Sequence, residues 1–411
     1  MRFISGLFIA LTAAVLLSCN GNKTALLWTD RPEFALYGEY FNTDQNQYKV
    51  EVRYFDNPVM ELRNSNNNPD IIVGSWLKNT STGIYFKSLE RHFGANKLSR
   101  NDFYPRLLAI GRIERNQYLL PISFNAPAMI FAKNNGEELS NPFTIGFEEI
   151  REKGREYNVE KGGIYSRMGF SPLWDEEFLH VTATLFNTSF REATPLAWDS
   201  NALNRSMAFI YNWTNEINSN NQAEGEFTFK YFFEPPAKLI QSERILFSYM
   251  DSSTFFTLNE GNKNNLDFRW IAEQNNIPLA EGSVYIGLVK KGKASKAAAA
   301  FIYWFFRIDT QRQLLENSKA NRMDETIFGI CGGFSALRQV TEQVFPKFYP
   351  GLLGRMPPVD YLAPANNLPG NWKTLKERVI LPYLHDRARA ARADEVYPLE
   401  RRLADWFRVN R

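Results

Sequence analysis

The 411-residue sequence contains only two cysteines, Cys19 and Cys331, and only three histidines. A disulfide framework cannot stabilise a chain of this length with so few cysteines, so its stability must come from packing. The sequence has no His-Glu-x-x-His motif and no Gly-x-Ser-x-Gly motif. Metal-dependent peptidases and many serine hydrolases carry these motifs, so their absence argues against both classes. Paired carboxylates for glycoside hydrolysis stay open, because such groups can be far apart in the chain.

The chain also lacks a strong excess of charge. Lys and Arg number 48 and Asp and Glu number 45, for a net charge of +3. Removal of residues 1–18 takes away only Arg2 among the charged residues and leaves +2. This balance does not call for a nucleic-acid partner. After the N-terminal region no apolar run is long enough to span a bilayer; the nearest candidate, Ala297–Phe306, ends at Arg307.

The N-terminus has the pattern of a secretory signal. Arg2 precedes an apolar run from Phe8 to Leu17, and Ser18 is followed by Cys19. The run is too short for a permanent membrane helix, and the order is that of a cleaved signal peptide over residues 1–18. Together with Cys19, it resembles the lipobox of bacterial lipoproteins, in which the cysteine becomes the lipidated N-terminus. The resemblance implies a protein tethered outside the cytoplasm by acyl chains at Cys19. Cys331 then has no disulfide partner.

The first part of the mature chain alternates between strand and helix patterns. Strands are predicted over Ala25–Trp28, Tyr48–Tyr54 and Asp70–Gly74, and a helix over Glu33–Phe41. The continuous apolar run of the third strand is typical of a parallel strand buried on both faces. This order predicts an α/β layer.

The rest of the chain continues the alternation. Strands are predicted over Tyr118–Ile122, Ala128–Ala132, Ile245–Met250 and Val284–Val289, and a long helix over Ala294–Glu316. The content of 44% hydrophobic residues allows a large core, and the length predicts two or three domains. The aromatic content of 15% is high, and most of these rings are expected in the core.

Two patterns imitate catalytic motifs. Gly287–Ala294 reads GLVKKGKA, close to the phosphate loop G-x-x-x-x-G-K-[ST], but Ala294 replaces the hydroxyl residue that would hold magnesium. Glu177 and His180 have the helical spacing of half a di-iron site, but no second pair exists. We interpret the first as a solvated turn and expect no metal site or cofactor.

Four segments carry a resemblance to the extracellular solute-binding proteins of ABC transporters, family 1, the maltose and multiple-sugar type. Leu26–Phe41 is similar to the opening strand, turn and helix of that family, and Pro69–Trp76 to its second strand. Leu120–Lys133 is similar to its first hinge crossing, and Pro278–Leu315 to its returning strand and long helix. The resemblance extends over nearly all of residues 24–385.

The resemblance implies an α/β clamp with two lobes and a ligand cleft between them, each lobe built on a mostly parallel sheet flanked by helices. One lobe is expected to comprise residues 24–131 and 277–318, and the other residues 132–276 and 319–411. Closure around a ligand would be a hinge motion.

The resemblance also implies positions for ligand contacts, which need aromatic faces and directional polar groups. In the first lobe the candidates follow strands. They are Asp30 and Arg31 after the strand Ala25–Trp28, Trp76 after the strand Asp70–Gly74, and Asn125 in the hinge turn, where related sugar binders often carry Glu. In the second lobe they are Trp174, Tyr249, Asp251 and Trp372.

The sequence therefore predicts a lipid-anchored binding protein, not an enzyme, that captures a carbohydrate and delivers it to an ABC permease. A monomer is expected, with no nucleic acid as partner. Three alternatives stay open. The same clamp could bind an amino acid, polyamine or phosphorylated solute; the chain could be an extracellular enzyme acting on glycans or peptides; or it could be a surface adhesin or sensor.

Overall fold

The computed structural model describes residues 23–65, 67–79 and 82–410. The predicted signal peptide and Cys19 lie outside these residues. Among the described residues, no helix combines the length and apolarity that crossing a bilayer requires.

The strands are numbered in chain order. They are β1 Thr24–Thr29, β2 Lys49–Tyr54, β3 Ile71–Gly74, β4 Arg112–Ile113, β5 Asn116–Gln117, β6 Leu119–Phe124, β7 Pro127–Ala132, β8 Thr144–Ile145, β9 Val159–Lys161, β10 Ile164–Arg167, β11 Ser248–Asp251, β12 Leu266–Ile271, β13 Ile277–Pro278, β14 Val284–Leu288, β15 Phe334–Ser335 and β16 Leu362–Ala363.

The α-helices are numbered in the same way. They are α1 Phe34–Asp44, α2 Pro58–Asn64, α3 Pro105–Ile110, α4 Phe147–Tyr157, α5 Glu176–Leu185, α6 Ser200–Ile217, α7 Asn221–Lys230, α8 Pro236–Gln241, α9 Ser252–Phe256, α10 Glu260–Lys263, α11 Ser295–Phe305, α12 Ile308–Ala320, α13 Phe345–Phe348, α14 Trp372–Leu375, α15 Leu381–Arg389 and α16 Leu399–Val409. Two π-helical turns, Val340–Val344 and Lys376–Ile380, lie next to α13 and between α14 and α15.

The chain divides into two compact units, each made of separate stretches. Unit 1 contains the described residues of 23–77, 82–122 and 284–317, and unit 2 those of 78–79, 123–283 and 318–410. The chain leaves unit 1 within β6, earlier than the predicted crossing at 131/132. The reason is that β7 pairs with β11 and β12, which belong to the sheet of unit 2.

The sheet of unit 1 is mixed. Its strand order is β6-β14-β3-β1-β2. β1 lies parallel to β2 and β3, whereas β14 lies antiparallel to β3. β14 follows a long excursion of the chain through unit 2, so no helical crossover forces it to run parallel.

The sheet of unit 2 is also mixed, in the order β11-β7-β12-β8, and only β12 and β8 pair in parallel. The α/β class is confirmed, but the prediction of mostly parallel sheets needs correction, because antiparallel pairs between strands distant in sequence build most of this sheet.

Aromatic side chains fill the core of unit 1. Helix α11 packs on β1 and β2. Phe301 and Phe305 of this helix contact Phe34 and Phe41 of α1 at ring-centroid distances of 5.3–6.2 Å. All four rings are buried. Burial of a large aromatic side chain contributes about 1.5–3 kcal/mol, so these rings hold α1 and α11 to the sheet.

The predicted long helix over 294–316 is wrong in one respect: it is two helices, α11 and α12. The break lies at Phe306 and Arg307, where the Arg307 N–H bonds the Trp304 carbonyl in a tight turn. The side chain of Gln311 donates to the Phe305 carbonyl at 3.2 Å and satisfies the end of α11. Phe305 and Phe306, at the break, are both buried.

Candidate functional site

Three of the predicted contact residues lie together in unit 1. β1 and β3 are parallel neighbours with Thr29 opposite Val73, so the residues that follow each strand meet at one edge of the sheet. Asp30 and Arg31 follow β1, and Ser75 and Trp76 follow β3. We call these four residues the strand-end cluster. Sequence reasoning missed only Ser75, although it lies inside the segment that carried the resemblance.

Hydrogen bonds fix the acidic side of the strand-end cluster. The Ser75 N–H donates to Asp30 Oδ2 at 3.2 Å. A Cβ at Gly74 would lie 3.0 Å from Asp30 Oδ1, so glycine leaves room for this carboxylate. The carboxylate therefore joins the ends of β1 and β3.

The basic side of the cluster is held by the same residues. Arg31 Nε lies 3.3 Å from Asp30 Oδ1, and Arg31 Nη2 donates to Ser75 Oγ. The Arg31 side chain is 31% exposed and that of Asp30 17% exposed. The cluster thus presents a positioned guanidinium and carboxylate that are partly accessible to solvent, as hydrogen bonding to hydroxyl groups requires.

Trp76 is half-buried and has a positive φ of 61°. A non-glycine residue in this left-handed region is uncommon and costs on the order of 1 kcal/mol or more. Such strain concentrates at binding sites, where the surrounding structure holds it in place. Trp76 directly follows Ser75, so it adds an aromatic side chain to the strand-end cluster.

Glu33 adds a buried carboxyl just before α1. Its side chain is 6% exposed. Burial raises the pKa of Glu33, as does the charge of Asp30, while a backbone hydrogen bond and Arg31 oppose the increase. The sequence analysis did not single out this residue.

In unit 2, Asn125 is engaged with protein groups on both ends of its amide. Its Nδ2 donates to the Gly332 carbonyl at 2.8 Å, and its Oδ1 accepts from Ser252 Oγ at 2.6 Å. The Asn125 carbonyl also accepts from the Ala280 N–H. The residue joins three segments that are distant in sequence, which is a structural task besides any ligand contact.

Asp251 and Trp174 likewise have protein partners. Asp251 Oδ1 caps α9, accepting from the Thr254 N–H at 2.7 Å and from Ser253 Oγ at 2.9 Å. Trp174 is half-buried, and its ring stacks on Phe227 with centroids 5.8 Å apart. One face of this indole is therefore covered by α7.

Tyr249 lies on β11 and is half-buried, with its ring edge-on to Phe178. Burial raises the pKa of Tyr249 well above its usual value, and the nearby carboxylates of Glu177 and Asp175 add to the increase. The phenol stays protonated and able to donate a hydrogen bond.

Trp372 does not offer a ring face to a ligand. Its side chain is 0% exposed and packs against Phe190 and His180. Its Nε1 donates to Glu281 Oε2 at 2.5 Å. The expectation of a stacking role came from its place after a Pro-rich loop, but helix α14 begins at this residue and draws the ring into the core.

Trp372 belongs to a buried charged network that sequence reasoning missed. Glu281 accepts from Trp372, lies 3.1 Å from Lys376 Nζ, and lies 3.4 Å from His180 Nε2. Lys376 also bonds Glu177 Oε2 at 2.6 Å. No short sequence motif links these positions, because only the fold brings them together.

Protonation in this network follows from burial and charge. Burial lowers the pKa of His180 to about 4, so its ring is neutral near neutral pH. Burial alone would raise the pKa of Glu281, but the charge of Lys376 and the hydrogen bonds from Trp372 and Lys376 oppose it and lower the pKa. Burial alone would lower the pKa of Lys376, but Glu281 and Glu177 raise it. The network holds a charged Lys–Glu pair in the core.

The segment that imitates a phosphate loop, Gly287–Ala294, contacts a carboxylate of the protein. The carboxylate of Asp70 accepts from the Ala294 N–H at 2.6 Å and from the Leu26 N–H at 2.9 Å. A Cβ at Gly292 would lie 2.8 Å from Asp70 Cα, so glycine permits this approach. An anion of the protein itself thus occupies the start of α11, where a phosphate loop would hold a nucleotide.

Other candidate sites have weaker support than the strand-end cluster. A depression of about 280 Å³ in unit 1 is lined by residues of α1, α11 and α12, among them Tyr40, Asp44 and Trp304. It lies on helices and not at the strand ends, and Trp304 Nε1 already bonds Asp44. Over the described ranges, histidine, cysteine and carboxylate side chains form no group of three that could hold a metal ion.

No protein-family model and no curated protein matches the sequence. Solved structures do match the fold. The sugar-binding protein MalE from Xanthomonas citri is 11% identical with a TM-score of 0.64, over 94% of this chain and 96% of its own. The cyclic α-maltosyl-1,6-maltose binding protein from Arthrobacter globiformis is 15% identical with a TM-score of 0.61, over 93% and 97%.

A third match is an ABC substrate-binding protein from Listeria monocytogenes in complex with cycloalternan. It is 10% identical with a TM-score of 0.59, over 93% of this chain and 97% of its own. The chain thus has the fold of sugar-binding, MalE-like substrate-binding proteins of ABC transporters, which is the fold that its sequence resemblance implied.

Proposed function

We propose that this chain is a lipid-anchored extracytoplasmic binding protein that captures a carbohydrate and delivers it to an ABC permease. The strand-end cluster carries the proposal. It combines an aromatic side chain with a positioned carboxylate, guanidinium and hydroxyl at one edge of a sheet, in a fold shared with proteins that bind saccharides.

The chemistry of the cluster fits a saccharide. Sugar rings present apolar faces for stacking and hydroxyl groups for directional hydrogen bonds. Asp30 accepts hydrogen bonds and Arg31 donates them, and each already holds the other in place, which lowers the ordering cost of binding. The adjacent opposite charges do not select a ligand of one sign, which favours a neutral sugar over a polyamine or phosphorylated solute.

Contacts from unit 2 are part of the proposal. Tyr249 keeps its phenolic proton, and Asn125, Trp174 and Asp251 use only some of their atoms in protein contacts. We retain these four as candidates and replace the buried Trp372 with Glu177, which bonds Lys376 of the same network and is 47% exposed.

The proposal includes an anchor at Cys19, a monomeric chain, and no enzymatic activity. A protein that serves only to bind needs no converging nucleophile and base, and the cluster consists of a carboxylate and guanidinium already paired with each other. The acyl chains would hold the protein at the membrane that contains the permease.

Uptake measurements test this function. Deletion of the gene from the source bacterium should abolish uptake of one class of labelled saccharide, and the intact gene should restore it. Trp76→Ala should weaken binding by about 1–3 kcal/mol and restore uptake poorly at low sugar concentration. Trp406→Ala, a half-buried tryptophan of α16, is the matched control and should restore it fully. Unchanged uptake of every saccharide in the deletion strain would refute delivery.

A further inference from the structure

Unit 2 exposes three phenylalanines within five residues. Phe229, Phe232 and Phe233 are 84%, 70% and 93% exposed. Single exposed apolar residues are normal on protein surfaces, but a contiguous group indicates an interaction site. We call these three residues the phenylalanine ridge.

The backbone holds the ridge in place. Helix α7 buries Phe227 against Trp174 and ends at Lys230, so Phe229 points away from the buried side. The Glu234 N–H closes a turn onto the Tyr231 carbonyl at 2.9 Å, and Pro235 and Pro236 lead into α8. The rings therefore lie on a helix end and a hydrogen-bonded turn. Little backbone entropy is lost when a partner binds them.

A hairpin that packs against α7 exposes a further apolar residue. Strand β10 packs against α7, and Ile164 of this strand is 64% exposed. Its neighbour Tyr165 is buried, with its hydroxyl 2.8 Å from Ser219 Oγ. The alternation along the strand thus turns Ile164 outward on a hairpin that packs against α7.

The charges around the ridge are mixed. Lys230 and Lys238 are balanced by Glu226 and Glu234. A surface without a dominant charge does not fit nucleic acid or a strongly charged protein. Exposed phenylalanines fit the boundary between lipid headgroups and acyl chains, where binding scales with the apolar area that is buried.

The predicted anchor would place the folded chain beside such a boundary. Only four peptide steps separate Cys19 from Lys23, the first described residue. Four steps span at most about 14 Å, so acyl chains on Cys19 would hold the body of the protein against the bilayer. We infer that the phenylalanine ridge inserts into the lipid–water interface of the membrane that carries the anchor. This inference uses the anchor of the proposed function but not its ligand.

Vesicle co-sedimentation tests the inference. The chain from residue 20 onward contains every described residue of both units and carries no acyl group, so binding reports on the protein surface alone. It is mixed with vesicles of phosphatidylethanolamine and phosphatidylglycerol, and with vesicles of phosphatidylcholine. The wild type should bind both kinds with little dependence on salt. The triple variant F229S/F232S/F233S should bind at least about tenfold more weakly, because insertion depends on apolar burial.

The control I84S/L353S/V409S replaces three exposed apolar residues outside the ridge, which are 64–78% exposed. It should bind as the wild type does, and both variants should keep the wild-type melting temperature. Absence of wild-type binding, or equal binding by the ridge variant, would overturn the inference. So would self-association, seen by sedimentation velocity and lost in the ridge variant, without vesicle binding. None of these results bears on saccharide binding, which is measured separately.

Discussion

At the residue scale, buried titratable groups make the strongest predictions about stability. Glu224 in α7 is 2% exposed and accepts from Asn218 Nδ2 at 2.6 Å. Burial raises the pKa of Glu224 from 4.5 to about 7, although hydrogen bonds from Asn218, Ser171 and Thr214 oppose the increase. The folded chain then holds a proton that the unfolded chain has lost between these pH values.

This shift predicts a pH-dependent loss of stability from Glu224. Between about pH 4.5 and pH 7 the folded state binds more protons, so the free energy of unfolding falls as pH rises. Between about pH 4.5 and pH 8, the free energy of unfolding of Glu224→Gln, measured with urea, should rise by about 2–3 kcal/mol relative to that of the wild type. The exposed Glu226→Gln on the same helix should show no such gain. A constant difference between Glu224→Gln and wild type would contradict this protonation.

Two tryptophans that are both predicted to stack on a ligand have different environments in the structure. Trp76 is half-buried at the strand-end cluster, whereas Trp372 is buried and bonded to Glu281. Trp372→Phe removes one hydrogen bond to a buried carboxylate and should lower the free energy of unfolding by about 1–3 kcal/mol. Saccharide affinity should change little. Calorimetric titration and urea unfolding of this variant check both parts, and a large loss of affinity at unchanged stability would restore the stacking role.

At the element scale, Asp70 links a strand to a helix. It precedes β3, and its carboxylate accepts from the Leu26 N–H in β1 and from the N–H of Ala294, the residue before α11. Asp70→Ala leaves two buried N–H groups without these partners and should destabilise the chain by about 2–4 kcal/mol. Asp309→Ala, an exposed acidic residue of α12, should cost less than about 0.5 kcal/mol. Equal urea midpoints for the two variants would show that Asp70 does not join these elements.

Local patterns predict the elements that depend on local sequence. The apolar runs at β1 and β3 and the helix after β1 lie close to their predicted bounds, because strand and helix periodicity is written in consecutive residues. The break between α11 and α12 escaped prediction, because it depends on how Phe305 and Phe306 pack. The local pattern also does not predict the direction of β14, because this direction depends on the route of the chain through unit 2.

At the scale of the whole molecule, the sequence resemblance over residues 24–385 predicted a fold that solved structures match over 93–94% of the chain at 10–15% identity. It also placed Asp30, Arg31 and Trp76 together, since each follows a strand of one parallel pair. It could not find the Glu281, His180 and Lys376 network, whose members come from three distant segments. Strand-end residues follow from topology, whereas buried networks follow from tertiary packing.

Saccharide binding tests the central claim most directly. The chain from residue 20 onward would be screened by thermal shift against maltotriose, mannotriose, cycloalternan and monosaccharides, with amino acids and polyamines as the comparison set. A ligand that binds only the folded state stabilises it by about 2.7 kcal/mol at a hundredfold excess over Kd. The account predicts a higher melting temperature with one class of saccharide and none with the charged solutes. A shift with charged solutes alone, or with no solute at all, would contradict it.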